Sequence, residues 1–318
     1  MRLLITGGAG FIGSNLADTA MRQPFVKEVT VLDDLSVGLR RNVVDLDLEL
    51  VEGSILDPKI LDAAMVGRDA VVHLAALGSV PRSLDNPLAT HHANATGTLM
   101  VLEAARRHNI GHVLLASSSS VYGLNPALPK QELTWTRPMS PYAASKLAAE
   151  AYVLAHQASF GIPALAFRFF NVFGPRQRHD HPYAAVIPRF AHAALNGTRV
   201  NVHGDGTQTR DFTYVGTVCD VIVDALRRRV SYPHPVNLAF SARANLLQVL
   251  EEIETIVGSR INRQHTASRA GDVPHSLADN KQLRELFPDI EPIPRLNGLS
   301  KTIAWMETQV GPGQPAPR

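Results

Sequence analysis

Short apolar runs alternate with longer helical patterns along the first half of the chain. The runs are rich in Leu and β-branched residues and are continuous rather than alternating, which indicates strands buried on both faces. Helical periodicity separates them, most clearly over residues 88–107 and 141–160. This alternation predicts a doubly wound, parallel α/β sheet. Its predicted strands are residues 2–6, 29–33, 48–52, 70–74, 112–117, 164–169 and 235–240.

The second half of the chain is less regular, because many prolines divide it into short elements. Within it, residues 246–257 have the pattern of an amphipathic helix. We therefore predict a sheet domain over residues 1–170, to which the strand at 235–240 returns, and a smaller domain over residues 171–310. The tail at 311–318 is rich in Pro and Gly and is predicted to be disordered.

Composition excludes several classes of partner. The 318 residues carry a formal net charge of only +2, which gives no indication of nucleic-acid or membrane binding. The longest apolar stretch, residues 70–80, is too short to span a bilayer, which needs about 20 residues. Cys219 is the only cysteine and the N-terminus lacks the pattern of a signal peptide, so we expect a soluble, cytoplasmic protein. The histidines have no metal-ligand spacing, and no metal site is predicted.

Three glycines follow the first predicted strand and open a helix. Gly7, Gly10 and Gly13 permit a tight turn and the close approach of a pyrophosphate to the helix N-terminus. Alone, such a motif can also be a simple strand–helix turn. Asp33, however, ends the second predicted strand, where a carboxylate accepts hydrogen bonds from an adenosine ribose and repels a 2′-phosphate. Together they predict a Rossmann-type domain that binds NAD rather than NADP.

Asp57 has two compatible interpretations. It follows the third predicted strand and can reach the adenine amino group. It also precedes Pro58, so it is suited to capping the N-terminus of the next helix.

Tyr142 and Lys146 are four residues apart on one predicted helix and so lie within mutual reach. A free Tyr, with a pKa of about 10, is a poor base, but a nearby ammonium and a positive nicotinamide ring favour its phenolate. The pair is therefore a candidate general base toward a sugar hydroxyl, although the motif alone also occurs on exposed helices. The serines at 117–120 end the fifth predicted strand, where they form either a proton relay or an ordinary polar loop.

These motifs, together with His73–Ala76, residues 117–123 and Arg168–Asn171, resemble the extended short-chain dehydrogenase/reductase family. The family contains nucleotide-sugar 4-epimerases, dehydratases and decarboxylases, and the likeness covers nearly the whole chain. It implies that Tyr142 is the base, that Lys146 holds the nicotinamide ribose, and that Ser118, with Ser119 beside it, contacts the reacting hydroxyl. It further implies that Phe11, Ile12, Ala75 and Phe169 contact NAD.

The resemblance favours epimerisation over elimination. Dehydratases of the family carry an Asp-Glu pair in the serine stretch and decarboxylases a Glu, whereas residues 117–120 are all serine. The implied reaction is transient oxidation at C4 of the sugar, rotation of the 4-keto intermediate, and return of the hydride to its other face.

The resemblance also implies a nucleotide-sugar site. Arg210 and Arg269 match diphosphate-binding arginines, with surface ion pairing as their alternative role, and Asp272 matches a residue that holds the nucleoside ribose. The sugar pocket resembles that of UDP-N-acetylglucosamine 4-epimerases, in which a small residue at Ser276 leaves room for an N-acetyl group. Its other matching residues are Gly78, Ser79, Asn171, Gln177 and Ala185.

Rival functions remain open at this point. Arg178 resembles an arginine that meets the sugar carboxylate in UDP-glucuronate 4-epimerases, or it is a solvated loop residue. A relaxed UDP-glucose/UDP-galactose epimerase and a non-catalytic NAD-binding regulator are further alternatives. The helices at 88–107 and 141–160 resemble those of a family homodimer interface, and their small side chains would permit close packing. The small residues are Ala104, Ala105, Ala143, Ala144, Ala148, Ala149 and Ala151.

Overall fold

The computed structural model describes residues 1–267 and 275–309. Its strands are β1 Arg2–Thr6, β2 Glu28–Asp33, β3 Glu49–Glu52, β4 Ala70–His73, β5 Val113–Ser118, β6 Ala164–Phe169, β7 Val172–Phe173, β8 Val200–His203, β9 Thr209–Asp211, β10 Thr213–Tyr214, β11 Val236–Leu238, β12 Arg243–Asn245 and β13 Arg263–Thr266. Its helices are α1 Phe11–Met21, α2 Pro58–Met65, α3 Val80–Asp85, α4 Pro87–His91, α5 Gly97–Arg107, α6 Pro141–Phe160, α7 Val186–Asn196, α8 Val215–Arg228, α9 Leu246–Val257, α10 Lys281–Leu286 and α11 Arg295–Gln309.

Seven parallel strands form the central sheet in the order β3-β2-β1-β4-β5-β6-β11. In β1, Leu3 and Ile5 pack into the core on one face, and Leu4 packs into the core on the other. All three are fully buried, as continuous apolar strands require. The predicted doubly wound, Rossmann-type sheet is confirmed. The chain order reverses between β1 and β4, which is where such sheets bind ligands.

The remaining strands pair two by two outside the central sheet, as β7 with β10, β8 with β13, and β9 with β12. The helices α7, α9 and α11 pack against one another and contact β8, β12 and β10 respectively. No helix in the described ranges is long and apolar enough to cross a membrane. The predicted disordered tail, Arg269 and Asp272 all lie outside the described residues.

One predicted helix is interrupted. The segment at 88–107 is α4, a widened π-helical turn at His92–Thr96, and then α5. The widened turn contains the buried Asn94, whose amide receives the Leu77 N–H at 2.8 Å and donates to Ser145 Oγ at 2.9 Å. Hydrophobic periodicity contains no sign of these contacts, so it predicts the helical segment at 88–107 correctly but not the π-helical turn within it.

The helix α6 begins and ends where its sequence indicates. Ser140 caps it by accepting the Ala143 N–H at 3.1 Å, and Pro141 occupies its first position. Gly161 ends it with a φ of 67°, in the left-handed region. The helix thus holds Tyr142 in its first turn, beside the end of β5.

Candidate active site

A cavity of about 560 Å³ runs along the carboxyl edge of the sheet. One end lies at the glycine loop, and the other lies at Tyr142, Lys146 and the serines 117–120. Nine of the ten predicted cofactor residues line it: Gly7, Gly10, Phe11, Ile12, Gly13, Asp33, Ala75, Lys146 and Phe169. The topology therefore brings the predicted dinucleotide and catalytic residues into one cleft.

The glycine loop packs against neighbouring backbone too closely for side chains at Gly7 and Gly13. Gly7 has a φ of +72°, and a Cβ there would lie 2.6 Å from the Ala75 nitrogen. A Cβ on Gly13 would lie 2.3 Å from the Gly7 carbonyl oxygen. Gly10, the N-cap of α1, contributes no side chain to the first helical amides. The loop thus fits a pyrophosphate, which can approach the backbone and the positive end of the helix dipole.

Asp33 holds the loop that it faces. Its carboxylate accepts the Ala9 N–H at 2.9 Å and the Leu35 N–H at 2.9 Å. Burial raises its pKa despite these hydrogen bonds. A carboxylate fixed here lies at the end of β2, in the position expected for a ribose diol partner.

Asp57 caps α2, accepting the N–H groups of Lys59 at 2.9 Å and Ile60 at 3.2 Å. It does not line the cavity, although residues 53–56 just before it do. Of its two compatible roles the cap is observed, and the contact with adenine stays a prediction.

Tyr142 lies beside Ser118 on the cavity wall, close enough for the Ser118 hydroxyl to act on its pKa through hydrogen bonding. The Ser118 hydroxyl itself donates to Ser120 Oγ at 3.1 Å. Lys146 donates from Nζ to the Ala116 carbonyl oxygen at 2.8 Å. Burial raises the pKa of Tyr142, with the Ser118 hydrogen bond acting in the opposite direction, and burial lowers the pKa of Lys146 to about 8. We expected the ammonium to favour the phenolate. In this structure Lys146 is not among the groups that shift the pKa of Tyr142, and burial dominates. A bound, positively charged nicotinamide would be suited to lower that pKa.

His73 supports the same region and was not predicted as a site residue. Its Nδ1 lies 2.7 Å from Thr6 Oγ1 and its Nε2 lies 2.9 Å from Thr98 Oγ1. Burial, aided by the charge on Lys146, lowers its pKa to about 3, so the ring is neutral at physiological pH. A histidine at the end of a fully apolar strand was the available signal for a buried, doubly hydrogen-bonded ring.

A second cavity of about 280 Å³ adjoins the first and includes Ala185 and Arg210 in its walls. Asn171 and Gln177 line both cavities. Gln177 donates to the Val172 carbonyl oxygen at 3.3 Å, while its own buried Oε1 has no hydrogen-bond partner among the described residues. Gly78, Ser79, Ser118 and Ser119 lie on the wall of the first cavity. A ligand that spans both cavities passes Gln177.

Two predicted substrate residues lie elsewhere. Arg178 pairs with Asp180 at 2.8 Å, contacts the Val37 carbonyl oxygen at 3.4 Å, and lines neither cavity. Because Asp180 lies only two residues after Arg178 in a loop, no periodic pattern in the sequence predicts that the two side chains pair. Ser276 also lines neither cavity as the described residues define them, but its N–H donates to the Thr209 carbonyl oxygen at 3.1 Å, beside Arg210.

A buried ion pair lies behind the catalytic end of the cleft. Arg168 donates to both carboxylate oxygens of Glu150, at 2.6 and 3.0 Å, and Ser117 donates to the same carboxylate at 2.7 Å. Each partner neighbours a site residue. Glu150 is one turn beyond Lys146, and Ser117 precedes Ser118. Together with Ser117, the ion pair links α6, β5 and β6 close to the reacting groups.

Comparison with known proteins decides the family. The model of the NAD dependent epimerase/dehydratase family matches residues 3–239. The chain belongs to this family. Its members use NAD, and the cleft between Gly7 and Lys146 is the part of the chain whose shape fits that cofactor.

Curated relatives of this family member include both epimerases and decarboxylases. The UDP-glucose 4-epimerase of Mycolicibacterium smegmatis is 32% identical, with 97% of this chain and 99% of the relative covered. UDP-glucuronic acid decarboxylase 1 of Xenopus tropicalis is 34% identical, with 97% and 73% covered. The chain is therefore an NAD-dependent enzyme of the group that contains UDP-sugar 4-epimerases and decarboxylases.

A solved structure with the same fold is a UDP-N-acetylglucosamine 4-epimerase from Methanobrevibacter ruminantium M1, in complex with UDP-N-acetylmuramic acid. It is 36% identical, covers 97% of this chain and 99% of its own, and superposes with a TM-score of 0.90.

Proposed function

We propose that this enzyme is a 4-epimerase of UDP-hexoses that interconverts UDP-N-acetylglucosamine with UDP-N-acetylgalactosamine and UDP-glucose with UDP-galactose. The observation that carries this proposal is the chemistry around Tyr142. Serine hydroxyls line the cavity beside it, whereas the described carboxylates on the cavity wall, Asp33 and Asp34, belong to the glycine-loop end. Elimination or decarboxylation in the family uses a carboxylate in the serine stretch, and a proton relay needs only hydroxyls.

Each polar group at the catalytic end has a proposed task. Tyr142 accepts the proton of the sugar's 4-hydroxyl, and Ser118, beside it on the cavity wall, relays that proton from the sugar to Tyr142. Lys146, fixed by the Ala116 carbonyl oxygen, holds the nicotinamide ribose. When bound, NAD supplies reversible hydride transfer at C4.

The nucleotide is proposed to occupy the second cavity. Arg210 on its wall is suited to the diphosphate, with Arg269 and Asp272 as further proposed ligands. Gly78, Ser79, Asn171, Gln177 and Ala185 are the proposed walls around the sugar. The unsatisfied Oε1 of Gln177, between the cavities, is available to a hydroxyl or amide donor of the sugar.

Acceptance of N-acetyl sugars rests on two supports. One is the small Ser276 beside the nucleotide cavity. The other is the likeness to the M. ruminantium epimerase. UDP-glucuronate is the weaker candidate, because Arg178 is engaged by Asp180 and lines neither cavity.

We also propose a homodimer formed through α5 and α6. Ala104, Ala105, Ala143 and Ala149 do not support it, because they are buried in the protein's own core. The support comes instead from the exposed Tyr152 and Phe160 on α6, at 39% and 53% exposure, and from the exposed Ala144 and Ala151. Sedimentation equilibrium tests it, and a monomer at micromolar concentration would contradict it.

A panel of UDP-sugars tests the catalytic proposal. Proton NMR of reactions with UDP-N-acetylglucosamine, UDP-glucose and UDP-glucuronate is expected to show 4-epimers of the first two. Tyr142→Phe should lower kcat at least about a hundredfold with little change in substrate affinity. Ser276→Tyr should reduce turnover of the acetylated sugars selectively. Turnover of UDP-glucuronate alone would overturn the assignment, and NAD binding without any turnover would favour a non-catalytic regulator.

A further inference from the structure

One hydrogen bond joins the walls of the two cavities. Tyr183 lines the nucleotide cavity, two residues before Ala185, and its phenol donates to Asp85 Oδ2 at 2.6 Å. Asp85 is the last residue of α3, and the N-cap of that helix is Ser79, on the wall of the larger cavity. The bond therefore spans 98 positions of sequence and connects a segment from each wall.

Arg82, on α3, reinforces the same contact. Its guanidinium lies 5.3 Å from the centroid of the Tyr183 ring, within range of a cation–π interaction. The backbone N–H of Tyr183 donates to His181 Nδ1 at 3.1 Å, which fixes the segment on its other side. The Asp85 carboxylate raises the pKa of Tyr183, so the phenol remains a donor at neutral pH. Two residues of α3 thus hold one aromatic ring.

We propose that Tyr183, Asp85 and Arg82 are positioning residues. Their contacts form a tie between the wall of the larger cavity at Ser79 (the sugar wall) and the wall of the second cavity at Tyr183 (the nucleotide wall). This tie retains the substrate while its sugar turns. The inference rests on the proposed function. A 4-epimerase must let the sugar leave its first orientation between the two hydride transfers. During that interval the 4-keto intermediate is held in the cleft by its nucleotide, which stays in the nucleotide cavity, and by the fixed distance between the nucleotide wall and the sugar wall.

The tie makes different predictions for UDP and for UDP-sugars. UDP contacts the nucleotide wall alone, whereas a UDP-sugar contacts both walls at once. Without the tie, the distance between the two walls must be fixed when the ligand binds, which costs binding free energy. Only the UDP-sugar, which contacts both walls, then loses affinity. A residue that merely lines the nucleotide cavity would weaken both ligands equally.

Three variants separate the tie from ordinary packing. Tyr183→Phe keeps the ring and its contact with Arg82 but removes the donor, and Asp85→Ala removes the acceptor. Asp85→Asn keeps an acceptor oxygen and should recover part of the loss. The matched control is Tyr232→Phe, which removes a phenol hydrogen bond of 2.7 Å to Gln282, away from both cavities.

Calorimetry on the NAD-loaded enzyme measures the affinities. Tyr183→Phe and Asp85→Ala should each raise the Kd for UDP-N-acetylglucosamine about three- to tenfold, a range reduced because the pair is partly exposed to solvent. The Kd for UDP should change less than about twofold in both. The double variant should be no worse than either single one. The 4-keto sugar that leaves the enzyme can be measured by filtering samples during turnover and reducing the filtrate with borohydride. Its amount should rise severalfold in Tyr183→Phe and stay at the wild-type amount in Tyr232→Phe.

Several outcomes would overturn the tie. These are an unchanged Kd for the UDP-sugar in Tyr183→Phe, equal losses for UDP and the UDP-sugar, or losses that add in the double variant. A wild-type enzyme that epimerises no UDP-sugar would refute the proposed function instead, and the comparison of the two Kd values would still test the tie.

Discussion

Removal of Arg168, behind the active site, should lower both the stability of the protein and its turnover. Its side chain and that of Glu150 are each 4% exposed, so Arg168→Met leaves a buried carboxylate with Ser117 as its remaining side-chain donor. Breaking a buried ion pair in this way costs about 3–5 kcal/mol. For a chain of this length about 2 °C of melting temperature corresponds to each kcal/mol, so we expect a fall of about 6–10 °C.

Loss of Arg168 should also slow the reaction. Glu150 is one helical turn from Lys146 and Ser117 adjoins Ser118, so loss of the pair should displace the reacting groups. At 20 °C, where Arg168→Met is still folded, we expect kcat to fall at least about tenfold, because misplacement by about 1 Å can cost a hundredfold.

Denaturant unfolding and initial rates measure the two effects on the same preparations. Combining Arg168→Met with Glu150→Leu should recover much of the stability, since an apolar pair replaces an isolated charge. Lys281→Met is the control, because its ion pair is exposed, with a separation of 4.0 Å, and should shift the melting temperature by less than about 1 °C. A loss below about 1 kcal/mol in Arg168→Met, or additive losses in the double variant, would refute the reasoning.

Three further changes test the cleft. Lys146→Met should abolish turnover yet stabilise the NAD-free protein by up to about 3 kcal/mol at pH 7, because the lowered pKa of the buried ammonium, about 8, penalises its charge. In the wild type, the loss of unfolding free energy caused by this buried charge should disappear as the pH rises from 8 to 10.5. Denaturant titrations at several pH values measure it. Asp33→Asn should lower the Kd ratio of NADP to NAD about tenfold by fluorescence titration. Gly13→Ala should weaken NAD at least about tenfold, because its Cβ meets backbone, while Gly111→Ala, with 3.5 Å of clearance, should bind normally.

Each of these three has a contradicting result. Lys146→Met that is no more stable than the wild type at pH 7 would refute the charge penalty. An unchanged cofactor ratio in Asp33→Asn would remove the ribose role. Equal affinities for NAD in Gly13→Ala and Gly111→Ala would show that displacing the glycine loop does not disturb cofactor binding.

The sequence predicts what is encoded locally. The strands β1 and β6 match their predicted residues because each contains a continuous apolar run, residues 3–5 and 164–167, that is buried on both faces. The helices α6 and α9 match because caps and periodicity agree, with Asn245 forming a capping box at the start of α9. The strands outside the central sheet are two to four residues long, too short for a periodic signal.

The parts that escape prediction depend on distant partners. Glu150 and Arg168 belong to different elements, and nothing local marks them as a buried pair. Tyr183 and Asp85 lie 98 positions apart. Motifs likewise identify Tyr142 as the candidate base, but the direction of its pKa depends on burial, which only the packed structure contains. Side chains buried inward, such as Ala104 and Ala149, cannot be distinguished from interface residues by size alone.

The fate of a C4 label tests the central claim most directly. Wild-type enzyme is incubated in ordinary water with UDP-N-acetylglucosamine carrying deuterium at C4, mixed with an equal amount of unlabelled UDP-glucose. The account predicts that mass spectrometry will find the deuterium retained in UDP-N-acetylgalactosamine and absent from UDP-galactose, since each hydride returns to the sugar it left. Loss of the label to water, or its transfer to the other sugar, would contradict the account.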